Sequence, residues 1–538
     1  MRGIVLAAAV FLGLTMAGVA AAQTPTPRIE SRDGRHALMV DGAPFLMLGA
    51  QINNSSAWPA ALPDVWPAME ALNVNTVEVQ IAWEQIEPVE GQFDFSFLDL
   101  MLEEARARDL RLVLLWFATW KNTNPQYAPS WVKLDNDRFP RMRRPNGDFH
   151  YVLSPFGENT LRADMRAFEA LVEHLKAVDS RNTVLMIQVQ NETGSYGLAR
   201  DHGPEAEALF RGAVPEALLA RTGRSGATWS EAFGRDAELF FQAWHVARYV
   251  DRIAEAGKRI KPIPMYVNAA LADPFNWQDP ATFASGGPAQ PVIDVWKVAA
   301  PHIDVLAPDI YTTDHRAYLK VLDDYARPDN PLLVVETGHT QGYARYFFEA
   351  VGRGTLGWAP FGVDGLRFRQ TRPVQPRLGP DELAPFAANF ALFRPMSRLW
   401  ARLAFEGKTW GAAEPNDPAD NHTRVMNLGP YTATATFGRA DFFNPPPQGN
   451  DPPSGGIAIA ELGPNEYLVT GFHGRVEFAL VDPTSGNLIF DRVEQGRFDA
   501  DGRWVFERVW NGDQVDWGLN FTAAPQVLRV KLATYPVR

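Results

Sequence analysis

Residues 183–197 read "TVLMIQVQNETGSYG". A short run rich in Val, Ile and Leu gives way to an amide, a carboxylate and two glycines. A run of this length and composition suits a strand buried on both faces, as in a parallel sheet. In barrels built from such strands, ligands meet the carboxyl ends. Asn191 and Glu192 stand at such an end, provided the rest of the chain supplies the sheet.

Seven further runs do so: "FLMLGA" (45–50), "NTVEVQIAW" (75–83), "RLVLLWF" (111–117), "PIPMYVN" (262–268), "DVLAPDI" (304–310), "PLLVVET" (331–337) and "LGWAPF" (356–361). Helical patterns lie between them. "DFSFLDLMLEEARARDL" places Phe97, Leu98, Met101, Leu102 and Ala105 on one face. "TWSEAFGRDAELFFQAWHVARYVDRIAEAGKRI" opens with Thr228 and Glu231 at capping-box spacing, and "DELAPFAANFALFRPMSRLWARL" follows the eighth run. Eight alternations predict an α/β fold, a (β/α)8 TIM barrel over residues 23–406. Beyond that, the Pro- and Gly-rich "NPPPQGNDPPSGG" and then period-2 runs such as "RWVFERVW" predict a smaller C-terminal antiparallel β-sandwich accessory domain over 407–538.

The bulk properties narrow the function. A chain of 538 residues exceeds one ordinary core. A net charge of −12 without a basic patch argues against nucleic acid and anionic membranes as partners. The absence of Cys excludes disulfides, zinc-thiolate sites and cysteine nucleophiles. The histidines are scattered, and no HExxH, Walker loop, G-x-S-x-G elbow or G-x-G-x-x-G fingerprint occurs, so neither a metal nor a cofactor is expected. Arg2, the apolar stretch 4–14 and Ala20-Ala21-Ala22 read as a signal peptide over 1–22. Its cleavage would leave a periplasmic or secreted chain with no membrane attachment. Oligomeric state is not legible.

The strand ends carry the chemistry. Strand 4 ends in Asn191-Glu192 and strand 7 in Glu336. Strand 6 runs into Tyr311, strand 8 carries Trp358, and strands 2 and 3 end near Glu84 and Trp120. Two carboxylates across one mouth are the minimal apparatus for breaking a glycosidic bond: one protonates the leaving oxygen, and the other attacks the anomeric carbon or activates water. An oligosaccharide is the implied partner. His315 and His339 are further candidates for the rim.

"IQVQNETGSYG" resembles the acid/base motif of glycoside hydrolase family 35, the β-galactosidases. "WEQIEPVEGQFDF" (83–95) is similar to a strand-2 segment shared by families 35 and 42, and "PLLVVETG" (331–338) to the nucleophile strand of the same retaining clan. The resemblance spans about residues 40–365 and implies Glu192 as acid/base and Glu336 as nucleophile. It also implies that Asn191 bonds the sugar 2-hydroxyl and that Tyr311 orients Glu336. The C-terminal β domain resembles the accessory domain of a bacterial branch of the family. The sequence departs from the family pattern at Gln190, Thr193 and Thr119, and "GAQINN" lacks the expected strand-1 Tyr. The amides Gln51, Asn53 and Asn54 are expected to hold the sugar in their place.

The expected function is a retaining, exo-acting β-galactosidase that removes terminal β-linked galactose from plant-derived oligosaccharides, with xyloglucan fragments as an example. The alternatives are another retaining β-glycosidase or an α-L-arabinofuranosidase of the clan, and a catalytically silent glycan-binding protein. N-terminal sequencing of the exported protein should begin at Gln23; an intact Met1 on a membrane-bound form would contradict the signal peptide.

Overall fold

All eight runs form strands, which we number β1 (Met47–Gln51), β2 (Thr76–Ala82), β3 (Arg111–Lys121), β4 (Val184–Asn191), β5 (Met265–Ala270), β6 (Val305–Ile310), β7 (Val334–Thr337) and β8 (Gly357–Pro360). They close into one parallel barrel in chain order, with β8 paired back to β1 through Gly357 and Met47. The structure, a computed structural model, describes residues 24–364, 380–438 and 447–536. The expected signal peptide and the start of the Pro-rich stretch lie outside these.

The barrel interior has two layers. The lower layer is apolar: Val113, Leu115 and Phe117 of β3, Val305 and Ala307 of β6, Val335 of β7 and Leu333 just before it share one cluster with Leu38, Val40 and Phe45. The last three come from a small antiparallel sheet, Arg28–Arg32, Arg35–Val40 and Ala43–Phe45, which plugs the barrel from below. Sequence reading did not anticipate that sheet, although its turns carry a strong signal. Asp33-Gly34 and Asp41-Gly42 all have positive φ, the backbone that two-residue hairpins require. The upper layer is polar. Two residues beyond Ala307 on β6 comes Asp309, and two beyond Tyr266 on β5 comes Asn268, both buried. The period of two therefore carries each inward face from the plug to the mouth.

The helices follow the expected faces, with one correction. Phe97, Leu98, Met101, Leu102 and Ala105 are all buried on the helix Ser96–Ala107. The stretch read as one helix from Thr228 is broken. Thr228 Oγ1 accepts from Glu231 N, but the short helix Trp229–Phe233 stops at Gly234, whose φ is 57°. The long helix then runs over Ala237–Ile260. No helix among the described residues is long and apolar enough to cross a membrane.

Beyond the last barrel helix, Ser397–Phe405, two antiparallel sheets begin at Thr409. One has six strands and the other four. Ile457, Ile459, Tyr467 and Val469 of the first share a core with Ala433, Ala435, Phe437 and Val476 of the second, which makes the pair a sandwich. Its first strand, Thr409–Ala413, lies against the barrel helix Tyr346–Gly352 with glycine on both sides of the contact, Gly352 and Gly411. Ala413 N donates to the buried Glu349 Oε1 at 2.8 Å. The Arg345 guanidinium donates to Glu414 O on the sandwich side and to Thr313 O in the loop after β6.

A Cβ added at Gly411 would sit 1.9 Å from the carbonyl oxygen of Phe348, which is backbone and cannot swing away. Gly411→Ala should therefore destabilise the protein by about 1–3 kcal/mol, read as a lower unfolding midpoint in denaturant. An unchanged midpoint would show that the helix and the sheet separate without cost.

Candidate active site

β4 ends in unusual backbone. Gln190 and Glu192 both have positive φ, 68° and 43°, a conformation that costs a non-glycine residue energy and concentrates at functional sites. The turn is held from outside. Ser195 and Ser285 exchange backbone hydrogen bonds at 3.0 Å in both directions. Between them Gly194 passes so close that a Cβ would lie 2.5 Å from Ser285 O, at φ 117°. The glycine of "NETGSYG" is thus required by close approach and by backbone angle together. The Glu192 N–H donates to Asn268 Oδ1 at 2.9 Å, and the Asn268 amide donates to Asp309 Oδ2 at 2.7 Å.

These ties assemble three carboxyl groups. Carboxylate oxygens of Glu192, Asp309 and Glu336 all lie within 4.8 Å of one another. Asp309 and Glu336 are direct neighbours across the β6–β7 pairing. Tyr311 Oη donates to Glu336 Oε1 at 2.5 Å, and Gln51 Nε2 donates to its Oε2 at 3.4 Å. Two unit charges at this range, at an effective dielectric of about 20, repel by roughly 3 kcal/mol, so the three cannot all ionise together. Burial first, and then Glu336, push the Glu192 carboxyl up to about 7, against the pull of Lys121 and a hydrogen bond with Asp309. Burial, Glu336 and Glu192 raise Asp309 well above the usual carboxylate range. Glu78, buried on β2, is raised by burial and by Glu336.

Several buried polar atoms facing this region have no protein partner among the described residues: both amide atoms of Asn191, Glu78 Oε2, Tyr266 Oη and Asp309 Oδ1. Such groups call for a functional explanation. Beside them a cavity of about 780 Å³ opens between the loops after β5 and β6, lined by Glu192, Asp309, Tyr311, Tyr196 and Phe275 among others. The three aromatic residues are exposed there.

The structure brings together Asn191, Glu192, Tyr311, Glu336 and Gln51. It places the other expected residues elsewhere. Trp120 is buried in the wall, its indole N–H bonded to Leu153 O at 3.1 Å and its ring against Tyr249. Trp358 is buried among Phe347, Phe386 and Phe390 on the helical side, its N–H on Tyr318 Oη. Neither offers a surface to a sugar. Asn53 is held by Asp364, to which its backbone N–H and side-chain amide both donate. Glu84 turns away because a short helix, Trp83–Ile86, starts as soon as β2 ends; it pairs with Lys133 at 2.9 Å. Glu84 and Asn54 line a separate cleft with Trp58 and Tyr127. His315 is buried against Tyr346, and burial with Arg424 and Arg345 lowers it to about 4. His339 bonds Phe361 O.

Thr119 and Gln190 do not mark missing sugar contacts. Both bind the buried Asp164 of the helix Glu158–Val178, at 2.5 and 2.7 Å, with Trp116 Nε1 at 2.8 Å. Burial still pushes Asp164 up to about 6. Sequence reading missed Asp309, Asn268, Glu78 and Lys121; the signal for Asp309 and Asn268 was the inward period of β6 and β5.

Known proteins share part of this chain. Residues 56–251 match the family model described as "Beta-galactosidase". That model is of the family-42 type, where the strand-4 motif had pointed to family 35. Residues 386–522 match a second family, a domain of unknown function that starts in the last barrel helices and takes in most of the sandwich. A β-galactosidase of Xanthomonas manihotis is 28% identical over 36% of this chain and 31% of its own length. The β-galactosidase BgaA of a Thermus species is 28% identical over 32% and 27%. The chain thus spans about a third of these relatives' length. The solved β-galactosidase of the psychrophilic Marinomonas ef1 aligns over 66% of this chain and 61% of its own, at 13% identity and a TM-score of 0.48.

The raised Glu192 has a cost in stability. Folded Glu192 titrates near 7 against an ordinary value of 4.5. The folded state therefore holds an extra proton between those values, and stability falls as pH rises through that window. Glu192→Gln should leave the melting temperature unchanged near pH 4 and raise it near pH 8. An equal shift at both would show that the carboxyl is not held neutral by the fold.

Proposed function

We propose that the protein is a retaining, exo-acting β-galactosidase that releases terminal β-linked galactose from oligosaccharides, plant-derived fragments such as those of xyloglucan among them. The observation that carries this reading is the approach of Glu192 and Glu336 from opposite strands to within 4.8 Å. That range fits the roughly 5–5.5 Å spacing of double-displacement glycosidases, whereas inverting enzymes leave room for a water. The partial likeness to β-galactosidases supports the choice of sugar.

In this reading the two glutamates differ in their surroundings. Glu336 accepts from Tyr311 and Gln51, and donors favour a charged carboxylate. It attacks the anomeric carbon. Glu192, pushed up to about 7, keeps a proton for the glycosidic oxygen as the bond to carbon breaks. The galactosyl ester on Glu336 is then released by water, whose proton goes to Glu192. The Asn191 amide, which has no protein partner, bonds the sugar 2-hydroxyl. Tyr196 and Phe275 offer rings to the leaving sugar.

A panel of nitrophenyl glycosides should show turnover of the β-galactoside above the other sugars, with the alkaline limb of kcat/KM near pH 7. Glu336→Gly with azide should give the α-galactosyl azide and Glu192→Ala the β-product. Glu192→Ala should slow substrates with poor leaving groups by about 10²–10⁴-fold. No turnover of any glycoside would sink the assignment, and azide products of the reverse configurations would swap the two roles.

A further inference from the structure

We propose that Asp309 is a positioning residue of this site: a carboxylic acid that keeps its own proton and donates it in a hydrogen bond to Glu192, stabilising Glu192 each time that residue becomes a carboxylate. The proposal rests on the glycosidase reading above.

Its basis is geometric. Asp309 lies on the inward face of β6, 3% exposed, directly beside Glu336. Its Oδ2 is occupied by the Asn268 amide at 2.7 Å, and Asn268 holds the Glu192 backbone through its other end at 2.9 Å. One amide thus fixes both carboxyl-bearing residues in a single frame. The Oδ1 atom is buried without a protein donor, and no ion pair to Asp309 occurs among the described residues. A charged aspartate there would have one donor while facing two carboxyls. A neutral one has a single hydroxyl to place, on Oδ1, and the Glu192 carboxyl is within its reach.

The groups facing Asp309 are Glu192 from β4, Glu336 from β7, Lys121 from β3, Tyr266 from β5, Tyr196 from the loop after β4, Tyr325 from the helix His315–Tyr325, and Tyr311 just beyond its own strand. Among these the cation is Lys121, and its ammonium is already bonded to Asn122 Oδ1. The negative charge belongs on Glu336, which has two donors of its own. In the first step, the proton of Glu192 moves to the glycosidic oxygen while a Glu336 oxygen bonds to carbon and the glycosidic bond breaks. Charge then appears on Glu192, and the Asp309 hydroxyl meets it. In the second step a water oxygen bonds to that carbon, the Glu336 ester bond breaks and the water proton passes to Glu192. Asp309 retains its proton throughout.

Asp309→Asn replaces the hydroxyl by an amide N–H and keeps an oxygen for Asn268. It should hold kcat/KM within about threefold of wild type near pH 6 and leave the alkaline limb in place. Asp309→Ala removes the donor. It should move that limb up by about one pH unit and slow substrates with poor leaving groups by roughly 10–100-fold, with melting curves confirming a folded protein. A limb that moves down in Asp309→Asn would mean that Asp309 carried a charge and would overturn the proposal, as would an unmoved limb in Asp309→Ala. The infrared difference spectrum of wild type against Asp309→Asn at pH 7 should contain a protonated-carboxyl C=O band beyond those that Glu192 and Glu78 contribute to both proteins, and the absence of that difference band would also refute the proposal. That band is read without substrate. A protein inactive on every glycoside would defeat the functional reading, while the spectrum still decides whether Asp309 is protonated.

Discussion

The site depends on a single constraint: three carboxyl groups share one small volume at the mouth of a barrel, so close that ionising all of them together is costly. Their inequality is therefore built by the neighbours each one has. Glu336 is given donors from β1 and from the loop after β6. Asp309 is given one amide, and Glu192 a backbone anchor, the pull of Lys121 and a hydrogen bond with Asp309. The two-layer interior makes this possible. The apolar plug packs against the lower layer of the barrel, and the polar layer lies towards the mouth.

Holding a carboxylate in so unfavourable a place takes rigid backbone. The left-handed residues at the end of β4, the glycine against Ser285 and the Asn268 bridge all act on the same few atoms. Strain of this kind persists where surrounding structure over-determines it. The network around Asp164 adds support from the outer side, tying Gln190 and Thr119 to a barrel helix.

Much of this was legible in the sequence because buried parallel strands read as apolar runs, and the carboxyl groups at the barrel mouth sit where those runs stop. Glu192 and Glu336 were visible for that reason. Asp309 was hidden inside a run, where only its spacing from Val305 and Ala307 reveals the inward face. Trp120 and Trp358 were misplaced because a strand end names a position along the barrel but not a side of its wall, and both rings pack outward. Glu84 was misplaced because a helix begins one residue after β2 and carries it off the rim. The departures at Thr119 and Gln190 look like losses against a family motif, yet they form a consistent buried network of their own, which no linear comparison displays.

Arg345 joins the loops above β6 and β7 to the first residues of the sandwich, and the paired glycines bring the two bodies into backbone contact. The sandwich is thereby part of the scaffold behind Tyr311 and Glu336 and not an appendage. Heat or denaturant that loosened those sheets would also loosen the backbone around Tyr311 and Glu336. The thermal tolerance of the site is thereby tied to the seam between two joined bodies, and that seam is where evolution or engineering could raise it.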